Sequence, residues 1–154
     1  MKILGDRLAL SATDLSSHLG CHHLTQQNLR AARGELKRPY FDDPTLEVLR
    51  EKGIEHEAQY LQHLKLQGLS VIELPEHSAM PEDTLAAMHE GADVIFQAAL
   101  DDGRWRGRAD FLLKTDGASD LGDYHYEVVD TKLARETRAG TVYTTMASEF
   151  AACS

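Results

Sequence analysis

An α/β domain with a mixed sheet is the fold class this sequence predicts, and three observations carry the prediction. A helix-period segment with strong start and stop signals spans the region from Asp43 to Gly68. Three strand-like runs then follow one another between Ala92 and Leu133. A further possible helix begins near Ala139, so helices come before and after consecutive strands. At 154 residues, with no internal repeat, low-complexity tract or linker, the chain reads as one domain able to bury a core.

The elements are justified in chain order. Ser11-Ala12-Thr13-Asp14 has the form of a capping box, with Ser11 as N-cap, and predicts a short helix to about Leu19. A second helix is predicted from Leu24 to Arg33, stopping at Gly34. For the third, Asp43 can cap and Pro44 suits the first helical position. Leu46, Leu49, Ile54, Leu61 and Leu64 supply an approximate apolar stripe, and Gly68 the stop. Gly53 inside that helix costs about 1 kcal/mol relative to alanine, which points to close packing or to a kink. Leu69 to Leu74 reads as a short strand and Glu82 to His89 as a short helix. Ala92 to Leu100 is an apolar strand, with Asp101-Asp102-Gly103 as a hairpin turn leading into a strand from Trp105 to Lys114. Thr115 to Asp123 reads as a polar loop, and Tyr124 to Leu133 as a third strand rich in aromatic and β-branched residues.

Composition removes several classes. No run approaches the roughly 18 apolar residues of a membrane-spanning helix. The start of the chain lacks the sustained apolar stretch of a secretory signal, so a cytoplasmic location is expected. Two cysteines, Cys21 and Cys153, are too few for a disulfide framework or a four-thiolate cluster. The net charge is −9, which argues against a polyanionic partner until its distribution is considered. Lys2, Arg7, Arg30, Arg33, Lys37 and Arg38 outnumber Asp6, Asp14 and Glu35 in the first 38 residues, so the acidity lies in the body of the chain. That division fits a metal enzyme acting on phosphodiesters, and equally a domain with an uneven surface.

Strand alternation places Asp130 and Lys132 on one face of the third strand, with Thr131 opposed. On the second strand it groups Arg104, Arg106, Arg108 and Asp110, with Trp105, Ala109 and Phe111 on the other side. If these strands are neighbours, Asp110 meets Asp130 and Lys132. Mg²⁺ and Mn²⁺ are held by carboxylate, carbonyl and water oxygens, so Asp110 and Asp130, with the Thr131 carbonyl, form a candidate ligand set. Lys132 would orient or help deprotonate a bound water, or balance charge in a pentavalent transition state. Taken singly, Asp-x-Lys is a common surface pair, and Arg104, Arg106 and Arg108 read as phosphate contacts or as a solvated strand edge. Trp105 reads as core before it reads as a stacking platform. His22-His23 beside Cys21 is set aside, because three adjacent residues cannot all face one ion without strain. His63, on nearly the same helical face as His56, reads as a packed or solvated side chain.

Gly107-Arg108-Ala109-Asp110-Phe111, followed by Glu127-Val128-Val129-Asp130-Thr131-Lys132, resembles the active-site signature of RecB-like nucleases in the PD-(D/E)XK superfamily. Gly53-Ile54-Glu55-His56-Glu57 looks like that family's first motif. Ser11-Ala12-Thr13-Asp14-Leu15, with Cys21, is similar to the amino-terminal segment of the group, including its CRISPR-associated relatives. The resemblance covers roughly residues 11 to 141 and implies a restriction-endonuclease-like core over 43–150 behind a helical extension over 1–40. It implies metal ligation by His56, Asp110, Asp130 and the Thr131 carbonyl, with Lys132 as the catalytic lysine. The expected activity is Mg²⁺- or Mn²⁺-dependent hydrolysis of DNA phosphodiester bonds in repair, recombination or defence, the imidazole favouring Mn²⁺. DNA is the expected partner, with a helicase as a possible second, and Arg104, Arg106 and Arg108 as the nucleic-acid contacts. The alternative is a nuclease fold without turnover that binds nucleic acid. Two departures from the family favour that alternative. No glutamine follows Lys132, so the Gln-x-x-x-Tyr element is missing, and the chain ends where the family adds a further strand. The domain is then truncated, altered at its end, or completed by another chain.

Overall fold

A computed structural model describes residues 1–39 and 43–131. These residues form two compact units. Residues 1–39, 43 and 101–107 make the first, and residues 44–100 and 108–131 the second. The expectation of a helix from Ala139 falls outside the described residues.

In the first unit, β1 (Lys2–Leu4) and β2 (Arg7–Ala9) pair antiparallel around a turn at Gly5, whose φ is 60°. This hairpin was not among the predicted elements. Helix α1 (Ala12–Gly20) begins as the capping signal predicts. The Ser11 amide and hydroxyl both donate to Asp14 Oδ2, at 2.8 and 2.7 Å. The same oxygen accepts from the Met1 ammonium, so one buried carboxylate ties the chain start to the helix entry. Helix α2 (His22–Ala32) follows at once and buries none of its side chains. Residues 101–107 complete this unit. Leu10 and Arg106 hydrogen-bond across to it (Leu10 N to Arg104 O, 2.9 Å; Arg106 N to Leu10 O, 2.8 Å), and Arg7 makes a two-bond fork with Asp101 at 2.8 and 2.9 Å.

The second unit is a layer of helix over a sheet. Helix α3 (Pro44–Leu66) ends at Gly68, whose φ of 81° takes the chain out of the helix. Of its expected stripe, Leu61 and Leu64 are buried, whereas Leu46, Leu49 and Ile54 are exposed. The carboxyl-terminal half therefore does the packing. Strand β3 (Val71–Glu73) leads to α4 (Pro81–Glu90), which starts with Pro81 and stops at left-handed Gly91. The chain returns as β4 (Val94–Asp101), parallel to β3 with Val71 opposite Val94. Such a strand–helix–strand connection is the usual way of joining parallel neighbours. Strand β5 (Arg106–Ser119) then pairs antiparallel with β6 (Gly122–Val129).

The sheet order β3-β4-β5-β6 makes a mixed four-stranded sheet, so the α/β class is as predicted. One element differs. Residues 115–119, expected as loop, extend β5, and the polar stretch forms a hairpin instead. Its residues alternate between half-buried and exposed, which a two-residue turn at Asp120 and Leu121 can sustain. The core of this unit gathers Leu61, Leu64, Val94 and Phe111, with Tyr60, Val71, Phe96, Leu113 and Val129 packed around them. Phe111 is fully buried, edge-on to Tyr60 at 5.0 Å and 4.9 Å from Phe96. No helix among the described residues is long and apolar enough to cross a membrane.

Candidate active site

Register brings the two predicted carboxylates together. The β5–β6 ladder ends with Phe111 opposite Val129, so the next facing pair is Asp110 and Asp130, just beyond the last rung. The two side chains share a hydrogen bond. The Thr131 amide also donates to Asp110 Oδ2, at 3.2 Å. Two ionised carboxylates cannot share such a bond, so one proton must lie between them. Burial, first, then the Asp130 hydrogen bond and charge, and then the charge of Glu57 push the Asp110 carboxyl up to about 7, against the opposing pull of the Thr131 amide.

Glu57 comes from α3. A cavity of about 600 Å³ lies against that helix, lined by Arg50, Gly53, Ile54, Glu57, Ala58 and Leu61. These positions follow the i, i+3, i+4, i+7 spacing of a single helix face. Its other walls include Glu73, Glu76, Phe96, Gln97 and Asp110. Gly53 earns its place here. A Cβ at that position would meet no atom within 4 Å, so the close packing expected of it is not what the structure shows; it opens onto the cavity. Four acids against Arg50 as the basic group make this lining strongly negative. Lys65 offsets Glu73 at 2.6 Å.

The remaining predicted residues divide. His56 is exposed and does not line the cavity, because it lies one residue, about 100° of helix rotation, away from Glu57. Thr131 follows Asp130 beyond the end of β6; its hydroxyl is buried without a hydrogen-bond partner among the described residues. Lys132 lies outside the described residues. Arg104 and Arg106 belong to the first unit and are exposed, whereas Arg108 belongs to the second and is half-buried. Its Nη1 is buried and unpartnered among the described residues.

Two residues of the site were not foreseen. Glu57 stands beside the predicted histidine, and only the rotational phase of α3 tells them apart. Gln97 Nε2 donates to Glu57 Oε2 at 3.1 Å from the middle of β4, and a lone glutamine in an apolar run gave no signal. Among the described residues no three histidine, cysteine, aspartate or glutamate side chains already converge as a metal cage. The donor set nonetheless suits a hard divalent cation, since it is made of carboxylate oxygens in an acidic, partly enclosed cavity. Compared with protein-family models, with curated proteins and with solved structures, the chain matches none.

Proposed function

We propose that the chain is a divalent-metal-dependent nuclease that hydrolyses phosphodiester bonds in DNA. The observation that carries this reading is the Asp110–Asp130 pair at the end of the β5–β6 ladder, faced by the charge of Glu57. A shared proton holds two such carboxylates together, and a divalent cation can take its place with a larger gain in charge balance. Resemblance of the surrounding segments to RecB-like nucleases supports the same reading.

In this scheme Asp110, Asp130 and Glu57 supply oxygens to the cation, and waters complete its shell, as Mg²⁺ normally requires. The cation, when bound, contributes a bound water acidified toward neutral pH and a positive charge for the scissile phosphate. The carboxylates fix its position, and the cavity admits the phosphodiester. Lys132, two residues after Asp130, would hold or accept a proton at its Nζ beside the attacking water. Arg108 would place its guanidinium, whose Nη1 lacks a protein partner, toward a phosphate oxygen. Without the cation the acidic lining repels a polyanion, so binding of substrate should itself depend on metal.

The test uses purified protein with Mn²⁺ and labelled single- and double-stranded DNA. Asp130→Ala and Lys132→Ala should each reduce cleavage at least a hundredfold while the far-ultraviolet circular dichroism stays unchanged. Cleavage that survives both changes would show that the activity lies elsewhere. Metal and DNA binding with no cleavage by the unaltered chain would put the non-catalytic alternative in its place.

A further inference from the structure

Gln97 is an anomaly in β4. Its φ is 60°, and among the described residues it is alone among non-glycines in having a positive φ. Glutamine is not a residue that favours the left-handed region, which asparagine, aspartate and glycine occupy most readily. The residue is nevertheless buried, between neighbours as inaccessible as Ile95 and Ala98. Backbone strain in the middle of a buried strand persists where the surroundings impose it, and such positions gather at functional sites.

The local effect can be followed residue by residue. The β3–β4 pairing runs from Val71–Val94 to Glu73–Phe96, and Leu74 N closes it on Phe96 O at 3.0 Å. Past Gln97, the Ala99 amide donates to the hydroxyl of Thr84 on α4, at 2.9 Å, rather than to a neighbouring strand. The ladder is thus interrupted around Gln97. In a regular strand successive side chains point to opposite faces, yet Phe96 and Gln97 both line the cavity. This is what a bulge does: it re-aims one side chain at the cost of ladder bonds. The re-aimed carboxamide reaches Glu57 Oε2 at 3.1 Å, across 40 positions of sequence.

We propose that Gln97 is the positioning residue of the cation site: the bulge in β4 turns its carboxamide onto Glu57 and holds that carboxylate toward Asp110 as the ligand from helix α3. The inference rests on the metal-site reading above and adds to it a residue that touches neither cation nor DNA. One N–H donated to Oε2 leaves Oε1 and the second lone pair of Oε2 to face the cavity. A glutamate held in one rotamer before binding loses less entropy when the ion arrives.

The experiment compares the full chain with Gln97→Gly, Gln97→Asn, Glu57→Gln and the double variant Gln97→Gly/Glu57→Gln. Glycine accepts the positive φ and removes the carboxamide, so Gln97→Gly should melt no lower than the parent in EDTA. Its Mn²⁺ affinity, measured by titration calorimetry, should fall about tenfold, and its cleavage should recover at saturating Mn²⁺. The double variant should bind Mn²⁺ no more weakly than Glu57→Gln, since both changes remove one function. Gln97→Asn keeps an amide but falls one methylene short, and should lose the same affinity; it carries the test if the glycine variant does not fold. Parental Mn²⁺ affinity in either Gln97 variant overturns the proposal, as do losses that multiply in the double variant. If Glu57→Gln binds Mn²⁺ normally, the positioning role is overturned while the Asp110–Asp130 site stands. If the unaltered chain takes up no Mn²⁺, the cation site and the positioning role fall together.

Discussion

Replacing Asp110 with asparagine should stabilise the metal-free protein at alkaline pH while removing its metal site. Asp110 carries a carboxyl pushed up to about 7 from an ordinary 3.8 by burial, by Asp130 and by Glu57. Between those two values the folded state holds a proton that the unfolded chain has released. Stability therefore falls as pH rises through this window, the sign opposite to that of a salt-bridged aspartate. Each pKa unit is worth about 1.36 kcal/mol, so the full penalty above pH 7 is on the order of 4 kcal/mol. Asparagine avoids it. Its carbonyl can still accept from the Thr131 amide, and its amide can donate to Asp130 where the shared proton now lies.

The assay is urea unfolding in EDTA at pH 4.5 and at pH 8.5, followed by circular dichroism. At pH 4.5 the two proteins should have nearly equal midpoints. At pH 8.5 Asp110→Asn should be the more stable by several kcal/mol, out of the roughly 5–15 kcal/mol a domain of this size possesses. The same variant should bind Mn²⁺ far more weakly. A stability difference that does not change with pH, or an asparagine variant that is less stable at pH 8.5, would refute the reasoning: Asp110 would not be held against its own ionisation.

Two further outcomes follow from the packing and from the amino-terminal cap. Phe111→Ala should destabilise by about 3–5 kcal/mol, read as a lowered urea midpoint, because the ring is fully buried and meets Tyr60 and Phe96 at 5.0 and 4.9 Å; a loss under 1 kcal/mol would mean the cluster is not a packed core. For Asp14, burial works to raise the carboxyl, but the hydrogen bonds from the Met1 ammonium and from Ser11 outweigh it and hold the group below the usual carboxylate range. Its stabilisation is present above the ordinary carboxylate pKa and is lost as pH falls through the lower folded value. Asp14→Asn should therefore cost about 1–2 kcal/mol at pH 7 and progressively less in acid, and a cost that is constant down to pH 2 would count against the ion pair.

Much of the architecture was legible because it rests on signals local in sequence. Ser11 and Asp14 cap α1, Pro44 and Gly68 bracket α3, and Gly91 ends α4, each through backbone chemistry that the residue type itself dictates. The pairing of Asp110 with Asp130 was legible for a related reason. Once the two strands are neighbours, alternation and register decide which side chains meet, and both carboxylates stand at corresponding ends. The β1–β2 hairpin was harder, since strands of three residues are too short for alternation to be read and Gly5-Asp6 is a modest turn signal. The extension of β5 through residue 119 failed on composition. Thr, Asp, Gly and Ser read as loop, whereas cross-strand pairing with Tyr124 and His125 overrides that preference.

The ligand from α3 failed for a geometrical reason that applies to any helix. A motif identifies a stretch of chain, but one residue of helix is about 100° of rotation, so His56 and Glu57 cannot both face one cavity. Deciding between them needs the phase, and the phase is set by which residues the helix buries. Here Leu61 and Leu64 anchor it against Phe111. Counting back from Leu61 in steps of four and three gives Glu57, Ile54 and Arg50, and the cavity is lined along that line. Had the expected stripe been buried along its whole length, the phase would have been readable from the leucines. Because its first half is exposed, the apolar pattern of Leu46, Leu49 and Ile54 carries no positional weight, and only the two buried leucines carry it. Gln97 lies further still from what pattern can reach. Its side chain arrives beside Glu57 through a backbone conformation that glutamine does not favour, so the fold imposes on the residue what its own propensity would never announce.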